Sequence, residues 1–477
     1  MKILFPVWEL APFIKVGGLG DVARSLPRAL YHLGQDIRLI VPYYKALKLH
    51  GQRRYKICEF NIIYNKKKVP IKMFKIHFLN DNIPVYLLQN PFYINVPMAD
   101  TFAVFDLAVI EILKNNILDW QPDIVHCNDN HCGFIPFLVK HNNLAVKTLF
   151  TIHNLCYQRK YPVLIVEKMG LLPSQCRIMR WEIKSKQINF LFEGITHADL
   201  INTVSPTYSK EILTEEYGEG LDDILRRESS KIFGILNGID YDICNPAEDP
   251  YIPYHYNNSS ISDKSKYKVF PFFEGKKLNK RYLQRKLNFS INKDIPLIGY
   301  IGRIAGNQKG IDLIHKMMLR LDLEKYQFVL LGKGDENWEE RFMWLAKFYP
   351  KNVFFSNIFD EELASQIYAA SDFLLIPSKF EPCGLIQMIA MRYGTVPIAR
   401  ATGGLKDTIK SGQDGFLFEK FSSHELEKIL KKAIKLKDDN PDKFAEIIKN
   451  AMAKDFSWSI SAQEYLKSYQ KLLSANL

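Results

Sequence analysis

Glu381 is the one carboxylate in Pro377-Ser378-Lys379-Phe380-Glu381-Pro382-Cys383-Gly384, and a short strand later the chain reads Thr402-Gly403-Gly404. Apolar runs lead into both loops (Phe373 to Ile376, then Val396 to Ala399), with a helix-like run from Leu385 to Arg392 between them. In an open α/β sheet, ligands sit beyond the carboxyl ends of the strands. Amides that open a helix after a glycine turn suit an anion such as phosphate. An acid beside such a turn suits a sugar held by its hydroxyls with a phosphate tail, the chemistry of a nucleotide-sugar site.

Other groups extend that chemistry. Lys15-Val16-Gly17-Gly18-Leu19-Gly20-Asp21 follows the first strand run and opens the first helix, so its amides and Lys15 can face a phosphate. It is neither a G-x-G-x-x-G fingerprint nor a P-loop, and a tight strand-to-helix turn explains it equally well. Arg303 and Lys309 follow the run Leu297–Ile301, a guanidinium fork and a point charge suited to a pyrophosphate. Asp129 and His153 stand just past neighbouring strand runs, and Asn237 ends the last run of the first half. Asp129 and His153 are each read equally well as hydrogen-bonded structural residues, and Asn237, before Gly238, as a turn-forming Asn-Gly. Gly332, in Gly332-Lys333-Gly334-Asp335, is either a pocket wall or a glycine turn.

The elements that must position these groups follow from the hydrophobic pattern. In the first half, short apolar runs fall at Ile3–Trp8, Ile37–Val41, Val85–Leu88, Ile124–His126, Thr148–Ile152, Leu200–Val204 and Ile232–Leu236. In the second they fall at Leu297–Ile301, Phe328–Leu331, Val353–Phe355, Phe373–Ile376 and Thr395–Ala399, with amphipathic stretches between. This is the rhythm of parallel α/β units. Pro27 interrupts the first helical pattern, where a kink is expected. Residues 249–275, rich in Tyr, Asn, Ser and Pro, read as an irregular excursion. The fold class is therefore α/β, with two Rossmann-like doubly wound domains facing across a deep cleft. The expected boundaries are 1–240, 241–457 and a helix in 458–477 that crosses back to the first domain.

Composition narrows the class of function. The 477 residues are 47% hydrophobic and 24% charged, ordinary for a globular protein of two or three domains. No run reaches the roughly 20 apolar residues of a membrane span, and Met1 to Glu9 reads as a strand rather than a signal peptide. The net charge of +12 comes partly from Lys66–Lys68, Lys276 to Lys286 and Lys428 to Lys437. None carries the aromatic interleaving of a nucleic-acid binder, so a lysine-rich surface is expected and no nucleic-acid partner. Seven scattered cysteines make no C-x-x-C pair, and Cys127 and Cys132 beside His126 and His131 do not match common zinc spacings. No metal site and no cofactor are assigned. A reducing cytoplasm is the expected compartment, or a plastid in a plastid-bearing host.

The motifs together resemble the bacterial glycogen synthase and plant starch synthase family. The resemblance runs in order through Lys15–Asp21, Asn128-Asp129, Thr151–Tyr157, Asn202–Tyr208, Tyr217–Asp222, Leu236–Pro246, Arg303 with Gln308-Lys309-Gly310, Ser378–Gly384, Thr402–Thr408 and Phe456-Ser457-Trp458. It implies a GT-B fold and retaining transfer of glucose from ADP-glucose to the non-reducing end of an α-1,4-glucan or malto-oligosaccharide. By motif, Glu381, Asp129, His153, Arg303 and Lys309 would be catalytic, Arg303 and Lys309 on the diphosphate. Lys15, Gly17, Gly18, Asp21, Asn237, Gly332, Cys383, Gly384, Leu385, Thr402, Gly403 and Gly404 would line the donor. The resemblance implies a front-face ion-pair route, so Glu381 is not assigned a glycosidase-like nucleophile role. The alternatives are a related transferase using UDP-glucose or another acceptor, and a catalytically weak glucan-binding scaffold.

Overall fold

The computed structural model describes residues 1–78, 81–90, 99–172, 184–257, 267–358 and 360–474. The chain divides into two units, Met1–Gly238 with Trp458–Leu477, and Ile239–Ser457.

The first unit is built on a nine-stranded sheet. Its strands are β1 (Lys2–Pro6), β2 (Asp36–Pro42), β3 (Tyr55–Tyr64), β4 (Lys67–Phe78), β5 (Ile83–Gln89), β6 (Ile124–Asn128) and β7 (Lys147–Ile152). Beyond a small antiparallel pair, β8 (Lys160–Pro162) and β9 (Gln187–Asn189), come β10 (Leu200–Thr203) and β11 (Ile232–Gly234). The order is β11-β10-β7-β6-β1-β2-β5-β4-β3. Pairing is parallel except at β4, which runs antiparallel to both β5 and β3.

Side chains alternate across the strands. Leu4 and Ile40 face a core shared with the helix Ala99–Lys114. Ile3, Phe5, Leu39 and Val41 face a core shared with the helices Gly18–His32 and Trp458–Ser474. The C-terminal helix is fastened by polar bonds as well. Tyr469 Oη lies 2.7 Å from His126 Nδ1, and Asn202 Nδ2 donates to Tyr465 Oη at 2.9 Å. Pro27 sits inside the helix Gly18–His32 without ending it.

The second unit has a small parallel pair, β12 (His255–Asn257) and β13 (Val269–Pro271), and a six-stranded parallel sheet. The latter comprises β14 (Leu297–Ile301), β15 (Gln327–Leu331), β16 (Val353–Ser356), β17 (Phe373–Ile376), β18 (Val396–Arg400) and β19 (Phe416–Phe418), ordered β16-β15-β14-β17-β18-β19. Its helices begin at the caps their sequences announce. Asp335 accepts from the amides of Asn337 and Trp338, Asp360 from Leu363, and Asn440 from Lys443 with Pro441 in the first turn.

Several expectations need correcting. The antiparallel extension β3–β4 is absent from the sequence reading, although Asn65 and Lys66, with φ of 50° and 59°, make the two-residue turn that favours a hairpin. The stretch 249–275 is not wholly irregular, since it contributes β12, β13 and the start of the helix Phe272–Lys286; its 258–266 portion, like Cys176, lies outside the described residues. Two lysines of the 276–286 cluster are turned inward. Lys276 Nζ donates to the carbonyls of Tyr368, Ala369 and Tyr393, and Lys280 pairs with Asp372 at 2.7 Å. Charge on that helix is therefore partly internal rather than a surface attraction for phosphate. Among the described residues no helix is long and apolar enough to cross a membrane.

Candidate active site

Each large sheet reverses its strand order at one point, and there the loops diverge to leave a crevice. In the first unit that point lies between β1 and β6, in the second between β14 and β17. The loops leaving these four strands carry Lys15 to Asp21, Asp129, Arg303 to Lys309, and Glu381.

In the first unit, Lys15 Nζ lies 2.8 Å from Asp21 Oδ1, both partly exposed. A Cβ at Gly17 would meet nothing within 4 Å, so the turn faces open space, and Gly18 begins the helix. The amides do not all face that space, however. Glu9 Oε2 accepts from the amides of Val16 and Gly17 at 2.8 and 2.9 Å. Gly17, expected to offer its amide to a phosphate, offers it to Glu9. The sequence reading missed Glu9, for which a lone acid upstream of a glycine turn was the available signal.

Asp129 and His153 are brought together. Asp129 adopts φ 55° and ψ −175°, a conformation costly for a residue with a side chain. Its Oδ1 holds the arrangement by accepting from the His153 amide at 2.8 Å. His153 Nε2 lies 3.0 Å from Asn128 Oδ1. Asn128 spends its amide donors on Pro6 and His126 carbonyls, so its oxygen accepts and His153 carries the proton on Nε2. Burial, then the nearby His131, pushes His153 down to about 3, so the ring is neutral. Burial pushes Asp129 up to about 7 against the opposing amides of His153 and Asn154. Both residues are partly buried rather than fully enclosed.

The signs of these two shifts differ for stability. A raised Asp129 stabilises fully below the unfolded carboxyl range, and that contribution is lost as pH climbs to about 7. A lowered His153 contributes above about 6.5, the unfolded histidine value, and loses that contribution as pH falls toward 3. Asp129→Asn isolates the first: the stability of this variant relative to the parent should improve steadily from pH 4 to 7 and level off above. Urea unfolding across that range checks it, and a pH-independent difference would remove the Asp129 ionisation.

Asn237 is 7% exposed and its Oδ1 has no hydrogen-bond partner among the described residues. A buried acceptor without a donor is costly and marks a place for a ligand hydroxyl or a water.

In the second unit the loops interlock through glycines. Gly310 has φ 65°, and a Cβ there would lie 2.0 Å from the Pro377 carbonyl oxygen; at Gly403, with φ 44°, it would lie 2.0 Å from that of Glu381. Gly404 donates its amide to the same Glu381 oxygen at 3.1 Å. A Cβ at Gly332 would strike the Gly302 carbonyl. The need for Gly332, Gly403 and Gly404 thus arises first from loop-on-loop packing, and the Gly404 amide is not the bare phosphate donor expected. Thr402, fully buried, stands at the N-cap of the short helix Gly403–Thr408. Cys383 is buried, Gly384 has φ 73°, and Gln387 Nε2 donates to both their carbonyls. Leu385 precedes the helix Ile386–Arg392.

Both cations of the expected Arg303–Lys309 clamp have side-chain partners. Lys309 Nζ lies 2.7 Å from Glu381 Oε2, and Ser378 Oγ donates to the same oxygen at 2.8 Å. The side chains are only 17% and 8% exposed, so this is a largely buried pair. Arg303 Nη2 donates to Gln308 Oε1 at 2.6 Å. Ser378 and Gln308 belong to the family motifs, yet nothing in the sequence alone assigns them a role. Among the described residues no group of three or more His, Cys, Asp or Glu is arranged to hold a metal ion. His126 is instead bonded to Tyr469 and Thr151.

Two doubly wound units, each with polar groups at the switch point of a largely parallel sheet, define a glycosyltransferase of the GT-B class. Residues 2–227 match the family model "Starch synthase catalytic domain", and residues 284–453 match "Glycosyl transferases group 1". The chain is 38% identical over 494 residues to a glycogen synthase of Clostridium botulinum, covering 99% of each chain. It is 37% identical over 495 residues to one from Streptococcus sanguinis, covering 99% and 100%. Among solved structures it resembles the catalytic domain of starch synthase IV from Arabidopsis thaliana, bound to ADP and acarbose. That likeness has a TM-score of 0.86 and 31% identity and covers 99% of each chain. The chain belongs to the glycogen and starch synthase family.

Proposed function

We infer that this glucosyltransferase extends α-1,4-glucans by retaining transfer of glucose from ADP-glucose. Family membership over the whole chain supports the reaction class, and the ADP in the starch synthase relative favours the adenine donor. The observation that carries the residue-level reading is the Lys309–Glu381–Ser378 contact at the switch point of the second sheet. There an ammonium, a carboxylate and a hydroxyl meet beside Arg303, where a sugar and a diphosphate need them.

In the reaction the bond from the anomeric carbon to the diphosphate oxygen breaks, and negative charge grows on the leaving group. Arg303 and Lys309 supply positive charge for it, so the reading requires no metal and no cofactor. Within the first unit, neutral His153, the Asp129 beside it and the Asn237 Oδ1 offer donors and acceptors of the kind sugar hydroxyls take. The acceptor's 4-hydroxyl attacks from the side the diphosphate leaves, and its proton passes to the departing phosphate. The compartment that goes with this reading is a reducing cytoplasm, or a plastid in a plastid-bearing host.

The test offers the purified chain maltotriose with either ADP-glucose or UDP-glucose and separates products by length. Extension with ADP-glucose at a kcat/KM at least about tenfold above UDP-glucose is expected, a difference of about 1.4 kcal/mol. Equal or reversed preference overturns the donor assignment, and no extension with either donor overturns the reaction.

A further inference from the structure

The helix Glu336–Phe348 is anchored on one side only. Phe342 and Leu345 are buried, and His315 meets Trp338 and Phe342 edge-on. The opposite side of a surface helix is ordinarily polar. Here it carries Trp344, 51% exposed, and Phe348, 60% exposed, with Met343 and Tyr349 exposed alongside. Trp344 and Phe348 are one turn apart, and their ring centroids lie 4.1 Å from each other at 36°. The two rings lie against each other, and each residue still remains more than half exposed. Around Trp344, at the positions one turn before and after it, stand the exposed Glu340, Arg341 and Lys347.

Size and charge narrow what such a surface takes. Trp344 and Phe348, which share one side of the helix, present roughly 200 Å² of apolar surface. A stable contact with a second copy or another folded protein needs about 800 Å² from each partner. The rim carries both signs of charge, which provides no net field for an anionic polymer. It does provide donors and an acceptor in reach of the ring. A glucose ring has the matching chemistry: an apolar C–H face whose slightly positive hydrogens lie against a negative π face, and hydroxyls at its edge for charged side chains.

We propose that the Trp344–Phe348 platform is a non-catalytic binding site for α-glucan chains. The proposal rests on the glucan-extending reading above. A polymer with many chain ends gains from such a tether, because holding one branch raises the local concentration of the others without any new contact at the reacting end. The platform therefore acts on KM for a large branched acceptor and leaves short acceptors untouched.

The experiment measures affinity electrophoresis in glycogen gels, together with steady-state kinetics on glycogen and on maltotriose. The proteins compared are the full chain, Trp344→Ala/Phe348→Ala, and Trp344→Tyr. The double variant should bind glycogen about tenfold more weakly and raise KM for glycogen by a similar factor. Its kcat, and both constants for maltotriose, should stay at the parent values. Trp344→Tyr, which keeps a ring face, should retain most of the affinity. Unchanged glycogen affinity in the double variant overturns the site, as does an equal loss with maltotriose. A change in sedimentation mass with unchanged glycogen affinity would assign the patch to a second copy and overturn the site too. If the parent chain extends neither acceptor yet the double variant loses glycogen affinity, the catalytic reading fails and the platform stands.

Discussion

Glu381→Gln should lower kcat about a thousandfold, near 4 kcal/mol of transition-state stabilisation, while leaving the chain folded. The isosteric amide is the informative change. Glu381 is held by Lys309 Nζ at 2.7 Å and Ser378 Oγ at 2.8 Å, and its main-chain oxygen takes the Gly404 amide. Truncation to alanine would leave a largely buried ammonium without its partner, and a loss of activity would then mix chemistry with local collapse. Glutamine preserves shape and an acceptor oxygen but removes the negative charge. The proposed reaction develops positive charge at the anomeric carbon, and it is the charge, rather than the hydrogen bonds, that is lost. Rapid-quench measurement of a single turnover from ADP-glucose to maltotriose would check this. A single-turnover rate within about threefold of the parent, less than 1 kcal/mol, removes Glu381 from the chemical step.

Much of this was legible in the chain itself. The loops at both switch points announced themselves because glycine, an isolated charge and the end of an apolar run coincide at Lys15–Asp21, Arg303–Gly310 and Pro377–Gly384. Apolar runs located twelve strands because buried parallel strands are nearly continuous in hydrophobic residues. The β3–β4 hairpin escaped since its outer face is exposed, with Tyr55, Ile57 and Ile63 facing solvent among lysines and arginines. Partner choice was the other gap. Periodicity puts Lys309 and Glu381 on neighbouring loops, but which group an ammonium meets depends on a loop approach set by Gly310 against Pro377 and Gly403 against Glu381. The same holds for Glu9, whose claim on the Gly17 amide depends on how the loop after β1 folds back. Charge identity is written in a sequence, whereas charge pairing is a tertiary outcome.

Lys309→Met should show that the ammonium serves the fold and the reaction at once. An ammonium has three donors, so Lys309 can keep its bond to Glu381 while turning another toward a diphosphate oxygen. Its removal leaves the Glu381 carboxylate, 8% exposed, with Ser378 as its remaining side-chain donor among the contacts described. The cost to stability should be about 3 kcal/mol, the lower end of what breaking a buried pair from one side costs, because Ser378 stays. Turnover should fall about a hundredfold as one cation is lost from the leaving group. The double variant Lys309→Met/Glu381→Gln separates the two roles. No buried charge is then left unpaired, so urea unfolding should return about 2 kcal/mol relative to Lys309→Met alone. Activity should not recover, and should lie near that of the worse single variant rather than at the product of the two losses, since the groups act as a unit. Strictly additive losses in both stability and turnover would mean that Lys309 and Glu381 act independently, and that their contact is incidental to the chemistry.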